Sequence, residues 1–408
     1  MNKATMHKRM FRLIALLAAA MLVLAACGKS SGSKGEDGIK VGILLSSSGP
    51  TAIIEAGMIK TALMAIEEIN EKGGVKGKKL IPIQEDYAGD PSMAATKAKK
   101  LVMEDKVAAV LGTFTSASRQ AVIPIIEQNN SLLVYPNLYE GEEYSEHVIY
   151  TGPIPNQGLE KFIPWLVENK GKKFFFVGSD YVFPIVMNKQ AKALLELSGG
   201  EVVGEEYVPF GHMEFASLIN KIKEAKPDIV FSTIVAESES AFFKQFHDYG
   251  ITPDDILIAS PIPTENDLAA MGPEAGAGHV VIQAYFQSVD TPENKAFLEK
   301  FERKYGKEPV NTQMEAAYYS IYLLAAAMEK AQDPTNAKQV IDAFAGLEFQ
   351  APSGWIKVDE ENHHTHLNYY IGVGNLEGQF DIIDKYGPIA PEPWSKLLYP
   401  DHEEPWKK

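Results

Sequence analysis

Polar and aromatic side chains follow several apolar runs of the sequence, at the points where those runs end. The positions of this kind with the most recognition potential are Phe114, Thr115, Ser116, Tyr135, Asn137, Tyr181 and Phe183. Hydroxyl, amide and aromatic groups with few charges suit a small, uncharged, planar polar molecule. The segment around Ser116 stands between an apolar run and a helical pattern, where free N–H groups and the positive end of a helix dipole favour a carbonyl or carboxylate. The sequence therefore predicts a binding site for a compact polar solute.

Motifs for catalysis, nucleotide binding or metal binding are weak or missing. No Walker sequence occurs, and no G-x-G-x-x-G follows an apolar run. The string G-x-S-x-G at residues 28–32 has no strand before it and no helix after it, as a nucleophile elbow requires. His363, His364 and His366 form the densest histidine group, but no carboxylate or thiolate stands at obvious ligand spacing, and a polar strand edge explains them equally well. We expect no catalytic residues, no cofactor and no metal.

Short apolar runs alternate with amphipathic stretches from Ile39 onwards. Helices are predicted at about 52–71, 93–104 and 116–128, each between apolar runs, which is the βαβ pattern of a parallel sheet. A second series starts after Pro153, with helices predicted at about 184–197, 215–224 and 238–249. The polar positions above therefore lie just after predicted strands, and ligands of open parallel sheets bind at that edge.

The last third of the chain has a different pattern. Two long helices are predicted at 293–305 and 314–331, and a shorter helix follows them. The apolar runs WIKVDE, LNYYIGVG and GQFDIID then come without helices between them, which favours antiparallel strands or a cover added to an existing lobe. Residues 386–408, with five prolines, are predicted to form a tail over the surface.

Length, composition and charge restrict the class of protein. The chain has 408 residues, 45% of them hydrophobic, which is enough for two domains with real cores. The formal net charge is −15 at pH 7, so the body repels phosphate backbones and nucleic acid is not expected as a partner. Only Arg119 and Arg303 occur after residue 12, which leaves little for bidentate clamping of anions.

The start of the chain predicts the compartment. Residues 1–12 are basic, residues 13–26 form an uncharged apolar run, and Cys27 follows directly. An apolar helix of this length spans about 21 Å, less than the ~30 Å of a bilayer core, so a secretory signal is favoured over a membrane anchor. The pattern resembles a bacterial lipoprotein signal, in which that cysteine is lipidated. Residues 27–38 are rich in Gly, Ser and charge, which indicates a flexible tether.

Several collinear segments resemble one family. VGILLSSSG, GTFTSASRQAV, YPNLYEGEE, YTGPIPNQ, FVGSDYVFP and YFQSVDTPENKAF are similar to the urea and short-chain amide binding proteins of ABC transporters. These form a branch of the type I periplasmic binding fold that also holds branched-chain amino-acid binders. The resemblance runs from about Ile39 to Pro388.

The resemblance implies an α/β architecture of two Rossmann-like lobes joined by three hinge crossovers. Lobe I would comprise 39–152 plus 288–346, and lobe II would comprise 153–287 plus 347–385, following a signal peptide at 1–26. It also implies which residues contact ligand: Phe114, Thr115, Ser116, Tyr135, Asn137, Tyr181, Phe183, Val235 and Glu237. The partners implied are a small-molecule ligand, an ABC permease and the membrane through a lipid at Cys27.

Four functions remain open from the sequence. The first is an extracytoplasmic lipoprotein that captures urea or a short aliphatic amide for a permease, and the second is an amino-acid binder of the same fold. In the second, Ser116 would bind the carboxylate and Glu237 or Glu265 the ammonium. An amide-sensing regulator and an extracellular hydrolase are the third and fourth. A ceiling near −1.5 kcal/mol per non-hydrogen atom limits a four-atom ligand to about −6 kcal/mol, or a Kd of a few tens of micromolar.

Overall fold

The structure is a computed structural model that describes residues 38–407. The predicted signal peptide, Cys27 and nearly all of the predicted tether lie outside the described residues. No helix in the described part of the chain is long and apolar enough to cross a membrane.

The first half of the chain forms a five-stranded sheet in which every strand is parallel to its neighbours. Its spatial order is β2-β1-β3-β4-β5. The strands are β1 (Ile39–Leu44), β2 (Leu80–Glu85), β3 (Ala109–Gly112), β4 (Leu133–Tyr135) and β5 (Val148–Tyr150). The connecting helices are α1 (Ala52–Glu71), α2 (Pro91–Lys100) and α3 (Ser116–Gln128), and a π-helical turn at Leu101–Asp105 extends α2.

The second sheet contains nine strands. Its order is β11-β12-β13-β10-β9-β8-β6-β7, with β14 paired to β13. The strands are β6 (Lys173–Ser179), β7 (Glu201–Val208), β8 (Ile229–Thr233), β9 (Leu257–Ser260), β10 (Val280–Gln283), β11 (Glu348–Ala351), β12 (Gly354–Val358), β13 (Thr365–Gly374) and β14 (Phe380–Ile389). Strands β6 to β10 are parallel, and β11 to β14 join the sheet in antiparallel pairs. The helix-free end of the sequence was therefore correctly predicted as antiparallel strands.

The helices of the second half lie around this sheet or return to the first. They are α4 (Pro155–Asn169), α5 (Val182–Leu197), α6 (Ala216–Ala225), α7 (Glu237–Asp248), α8 (Glu265–Met271), α9 (Pro273–Gly276), α10 (Pro292–Tyr305), α11 (Thr312–Lys330) and α12 (Ala337–Phe344). Helix α11 packs along α1, although the two are far apart in the sequence. The sequence did not predict α4, whose residues are nevertheless buried along one face.

Local sequence signals explain where the helices that border the strand ends begin and stop. Helix α1 stops at Glu71, and Gly74 then adopts φ +74° while its N–H donates to the carbonyl of Ile69 at 2.9 Å. A Cβ on Gly74 would lie 2.0 Å from the carbonyl oxygen of Lys78, so no other residue fits there. Helix α3 begins after Thr115, whose Oγ1 accepts the N–H of Ser118 at 3.2 Å.

The two sheets meet where β5 runs beside the start of β13. The N–H of Tyr150 donates to the carbonyl of His363 at 2.9 Å, and the hydroxyl of Thr365 donates to the carbonyl of Tyr150 at 3.2 Å. Strand β14 continues to Ile389, four residues into the segment predicted as the C-terminal tail. The contact of β5 with β13 places the carboxyl ends of both sets of parallel strands close enough to border one cavity.

Candidate ligand-binding site

A cavity of about 40 Å³, which we name the polar cavity, lies at the carboxyl ends of strands from both sheets. Its walls follow β3 and β4 in the first sheet and β6, β8 and β9 in the second. The lining residues are Ile54, Phe114, Thr115, Ser116, Asn137, Leu138, Tyr181, Phe183, Val235, Ala236, Glu239, Pro261, Ile262, Asp267 and Gln313. Residues of distant segments thus meet as the parallel topology predicts.

The first turn of α3 forms one wall of the polar cavity. Thr115 caps the helix, and its hydroxyl donates to Ser118 Oγ at 2.9 Å while accepting the Ser118 N–H. Ser116 opens the helix and is buried. The N–H groups of the first turn of a helix have no partner within the helix, and the dipole makes this end positive. A carbonyl or carboxylate oxygen of a ligand would be stabilised at this wall.

Asn137 presents an unpaired acceptor to the same cavity. Its Nδ2 donates to the carbonyl oxygen of Phe114 at 2.6 Å, which fixes the orientation of the amide. The Oδ1 atom is buried and has no hydrogen-bond partner among the described residues. Tyr135 also donates to the Phe114 carbonyl, at 2.9 Å, and lies behind the lining. Asn137 therefore offers an acceptor to an N–H group of a ligand.

Two carboxyl groups face the polar cavity from the second sheet. Glu239 on α7 is fully buried, and neither of its carboxyl oxygens has a hydrogen-bond partner among the described residues. Burial, and secondly the nearby carboxyl of Asp267, raise the pKa of Glu239 well above its usual value. Asp267 is itself satisfied by Thr264, whose N–H and hydroxyl donate to it at 2.9 and 2.7 Å. Burial therefore favours the protonated, neutral form of the Glu239 carboxyl.

Gln313, in the first turn of α11, adds a further acceptor. Its Oε1 is buried without a hydrogen-bond partner among the described residues. Among the described residues that line the polar cavity, none is Lys, Arg or His. Unpaired acceptors at Asn137, Glu239 and Gln313 and an absence of bases select ligands that carry several N–H donors.

Seven of the nine predicted contact residues line the polar cavity, namely Phe114, Thr115, Ser116, Asn137, Tyr181, Phe183 and Val235. Tyr135 lies one layer behind, where burial raises the pKa of its hydroxyl to about 12. Glu237 is exposed at the start of α7 and does not line the cavity. Residues that are two positions apart in an α-helix point in directions that differ by about 200°. Glu239 therefore faces the cavity and Glu237 faces solvent. Glu265, the other acid considered for an ammonium, is buried outside the lining, where its Oε1 accepts the Gln287 N–H.

The acidic residues that line the polar cavity were not predicted from the sequence. Glu239, Asp267 and Gln313 line the cavity but lie one or more residues inside helices, beyond the strand ends that were inspected. The expectation of a lining with few charges is corrected: two carboxyl groups contribute to it. The signal that distinguishes Glu239 from Glu237 is its position on the apolar, buried face of α7.

Behind Ser116 lies a second buried polar group of residues, which we name the Arg119 cluster (Ser116, Arg119, Glu140 and Glu143). Arg119 is fully buried, and its Nη2 and Nε donate to Glu140 at 2.9 Å and to Glu143 at 2.8 Å. Arg119 Nη1 donates to Ser116 Oγ at 3.1 Å, and the Ser116 hydroxyl donates to Glu140 at 2.5 Å. Ser116 thus belongs to both regions, and the Arg119 charge is fully engaged away from the cavity.

The histidine group near the start of β13 has structural partners. His364 is fully buried and stacks on Tyr150 with ring centroids 4.2 Å apart. His366 Nε2 lies 3.0 Å from Asp359. Within residues 38–407, no group of three or more His, Cys, Asp and Glu side chains could hold a metal ion.

Comparisons with known proteins agree with this geometry. The chain matches the family described as "Periplasmic binding protein domain" over residues 39–400. A curated relative is the "Leu/Ile/Val-binding protein homolog 6" of Brucella suis biovar 1, which is 27% identical over 378 residues, 88% of this chain and 92% of the relative.

Solved structures of similar fold match this chain over nearly their whole length. One is a solute binding protein of an ABC transporter from Rhodopseudomonas palustris BisB5 in complex with 3,4-dihydroxy benzoic acid, with a TM-score of 0.80, 24% identity and coverage of 87% of this chain and 99% of that chain. Another is a branched-chain amino acid transporter substrate binding protein from Streptococcus pneumoniae in complex with isoleucine, with a TM-score of 0.76, 23% identity and coverage of 85% and 98%. The chain therefore belongs to the periplasmic binding protein domain family, with the two-lobe α/β fold of its type I members.

Proposed function

We propose that this chain is the substrate-binding protein of an ABC transporter and that it binds urea or a short aliphatic amide in the polar cavity. The observation that carries the proposal is the set of buried, unpaired acceptors on Asn137, Glu239 and Gln313 in a cavity without a basic lining residue. Such acceptors cost free energy in the empty protein, about 1–3 kcal/mol each, which a donor-rich ligand recovers on binding. The family membership and the lobed fold support a binding role without chemistry.

An amide or urea matches the groups around the cavity. Its carbonyl oxygen would accept from the backbone N–H groups at the start of α3, because the hydroxyls of Thr115 and Ser116 already donate to Ser118 and Glu140. The four N–H hydrogens of urea would suffice for Asn137 Oδ1, Gln313 Oε1 and the carboxyl of Glu239, whereas the two N–H hydrogens of an amide would pair with two of these three groups. A neutral carboxylic acid at Glu239 pairs well with a neutral amide, because each supplies one donor and one acceptor.

The size of the cavity also favours a very small ligand. A water-sized group needs roughly 10–15 Å³ by this measure, so a cavity of about 40 Å³ holds only three or four such groups. Urea and acetamide have four heavy atoms. Aromatic acids such as the ligand of the Rhodopseudomonas structure are larger and anionic, and no base in the lining would pair with their carboxylate.

An amino acid is the second candidate, and Glu239 is the observation that favours it. An ionised Glu239 would pair with an ammonium group, while the start of α3 would receive the carboxylate. The names of the curated relatives and the isoleucine complex agree with this alternative. The two candidates differ in the proton: an ammonium requires Glu239 to ionise, whereas an amide binds to the protonated carboxyl.

Isothermal titration calorimetry of residues 28–408 tests both candidates. The panel is urea, formamide, acetamide, propionamide, glycine, alanine, leucine, isoleucine, valine and benzoate. We expect heat from urea or an amide and none from benzoate. Repeating the titration in buffers of different ionisation enthalpy counts protons: close to zero are released with an amide and about one with an amino acid. Heat-silent titrations with urea and all amides would reject the main proposal.

Replacing Glu239 by Gln separates the candidates a second time. For a neutral amide, E239Q keeps an acceptor and a donor, and we expect a Kd change of about tenfold or less. For an ammonium, the loss of the charged partner is expected to weaken binding by roughly a hundredfold or more. The matched control is E237Q, which removes the same type of side chain two residues earlier, on the exposed face. An equal loss in both variants would show that Glu239 does not contact ligand.

The location that we propose is supported by the leader and the family. A periplasmic binding protein domain after a secretory signal supports a position outside the cytoplasm, with a lipid on Cys27 as the anchor. Metabolic labelling of cells with an alkyne fatty acid tests the anchor, with C27A as the unlabelled control. An unlabelled wild-type protein in the cytosolic fraction would favour an amide-sensing regulator instead.

A further inference from the structure

A second, smaller cavity lies directly beside the polar cavity, and we name it the side pocket. Its volume is about 10 Å³, room for roughly one water-sized group. The residues that line it are Leu138, Pro155, Gly158, Leu159, Met187, Pro261, Ile282, Gln283 and Tyr369. Most of this lining is apolar, in contrast to the unpaired acceptors of the polar cavity. Only Leu138 and Pro261 line both cavities.

Leu138 and Pro261 form the wall shared by the two cavities, which we name the partition. Of these two residues, Pro261 is held in place. The Nε2 group of Gln283 donates to the carbonyl oxygens of Pro261 and Ile262 at 2.9 and 3.0 Å. Gln283 is buried and belongs to β10, so the backbone after β9 is tied to the sheet. The side chain of Pro261 is closed into a ring and cannot change between the rotamers of an open side chain. This side of the partition is therefore rigid.

Leu138 is the other half of the partition. It lies in the loop after β4, three residues beyond Tyr135, and it is only partly buried. Its side chain packs against the hydrophobic cluster that contains Leu159, Met187, Ile282 and Tyr369. A leucine side chain changes rotamer without backbone movement, unlike a proline. Truncation of Leu138 would thus join the two cavities.

The far wall of the side pocket leaves little other room. A Cβ on Gly158 would lie 2.8 Å from Cε1 of Tyr369, so the helix α4 and the β13 side chain are already in close contact there. Leu159 is about 1% exposed and belongs to the same tightly buried layer. The wall of the side pocket opposite Leu138 is therefore formed by closely packed residues.

We propose that Leu138 is a specificity-determining residue that limits the length of the alkyl group on the ligand, and that the side pocket is the subsite into which a longer alkyl group would extend. The inference rests on the proposed function for the identity of the polar head group. The ligand class that it defines is an aliphatic primary amide, with the amide in the polar cavity and the chain directed at Leu138.

The test is a chain-length series measured on wild type and on L138A. The probes are formamide, acetamide, propionamide, butyramide and valeramide, titrated calorimetrically. In wild type, we expect binding to weaken once the chain exceeds that of acetamide, because the polar cavity holds only three or four water-sized groups. In L138A, we expect butyramide and valeramide to gain roughly tenfold or more, because a fitted methylene changes discrimination by about 10- to 200-fold, while formamide changes little.

The matched control is L159A, which removes the same atoms from the side pocket but leaves the partition intact. Melting temperatures confirm that each variant is folded, and L138V provides a milder opening if L138A is unstable. L138F, with a larger partition, is expected to lose propionamide before formamide. Equal gains for long amides in L138A and L159A, or no gain in L138A and L138V, would overturn the proposal.

Failure of the proposed function is recognised separately. If wild type binds no amide, the head group is wrong, and xenon then tests the partition without any head group. Apolar cavities large enough for xenon bind it. Under xenon pressure, crystals of L138A should contain a xenon atom between Pro261 and Met187, and wild-type crystals should not. An empty site in L138A would overturn the partition whatever the ligand is.

Discussion

The Arg119 cluster and the polar cavity are two buried polar regions that share Ser116. They differ in whether their buried polar groups have hydrogen-bond partners. In the cluster, Arg119 donates to Glu140, Glu143 and Ser116, and it also lies 4.3 Å over the ring of Tyr139. In the cavity, the carboxyl of Glu239 has no hydrogen-bond partner among the described residues, and Gln313 lacks one for its oxygen.

The Arg119 cluster contains a charge with a full set of partners, whereas the polar cavity contains a buried carboxyl group without a hydrogen-bond partner among the described residues. A buried charge with a full set of partners holds its neighbours in place, and removing one member leaves the others uncompensated. A buried acceptor without a partner costs free energy that the fold does not recover by itself. Its persistence indicates a partner that comes from outside the chain. Substitutions on the two sides should therefore have opposite effects on the stability of the empty protein.

The largest expected effect is the loss of Arg119. R119M keeps the side-chain length but leaves Glu140, about 3% exposed, as a buried carboxyl without its base. We expect unfolding to become easier by about 3–5 kcal/mol, measured by differential scanning calorimetry. Chemical denaturation with urea is avoided because urea is a candidate ligand. The control is R303M at the exposed second arginine, expected within ~0.5 kcal/mol of wild type. Similar losses in both would contradict a structural role specific to the cluster.

Glu315 on α11 is intermediate between the two regions, because it is a buried carboxyl group with hydrogen-bond donors but without a base. Its expected effect on stability is the next largest. Its carboxyl is buried, has no base beside it, and accepts the N–H and the hydroxyl of Ser353 at 3.1 and 2.9 Å. Burial raises the pKa of Glu315 to about 8, from an ordinary value of 4.5. Between these values the folded state keeps a proton that the unfolded state has lost. Stability should therefore fall as pH rises through that window, by at most about 1.4 kcal/mol per pH unit for one group.

E315Q removes this contribution, and its calorimetric stability should depend less on pH than that of wild type between pH 5 and pH 8. E299Q, at an exposed glutamate on α10, is the control and should keep the wild-type slope. If E315Q and wild type have parallel stability curves over this range, the Glu315 carboxyl is not protonated in the folded state.

Much of the fold and part of the site could be predicted from sequence, for reasons visible in single elements. Helices α1 and α3 were predicted with their observed bounds; in α1, apolar residues recur at three and four positions, and Gly73 and Gly74 stop the helix. Helix α4 was missed although its buried residues Leu159, Phe162, Ile163 and Leu166 recur at helical spacing. The strand ends gave Phe114 to Ser116 and Asn137, since topology alone fixes them. Glu239 could not be found that way, because its burial depends on which face of α7 packs toward the cavity.

The unpaired acid of the cavity should behave opposite to Arg119. E239M replaces a buried carboxyl without a partner by an apolar group of similar length, so the empty protein should gain about 1–3 kcal/mol. The same variant should lose ligand binding, as expected where function conflicts with stability. E237M on the exposed face is the control, with little effect on either property. A destabilised E239M would mean that Glu239 has a structural partner within the chain.

The smallest expected effect on stability comes from the strained backbone of Ala236, a residue of the polar cavity. Ala236 lines the polar cavity at the start of α7 with φ 57° and ψ −147°, a conformation that costs a non-glycine residue about 1–3 kcal/mol. A236G relieves this cost but adds unfolded-state freedom, so a net gain of about 1 kcal/mol is expected by calorimetry. A326G, at an exposed position inside α11, should instead lose about 0.5–1 kcal/mol. Opposite signs for the same substitution would place the strain at the cavity wall, where Ala236 and Glu239 both hold the empty protein above its lowest free energy. Equal losses would mean that the surroundings of Ala236 favour its conformation and that the cost of the site comes from its unpaired acceptors alone.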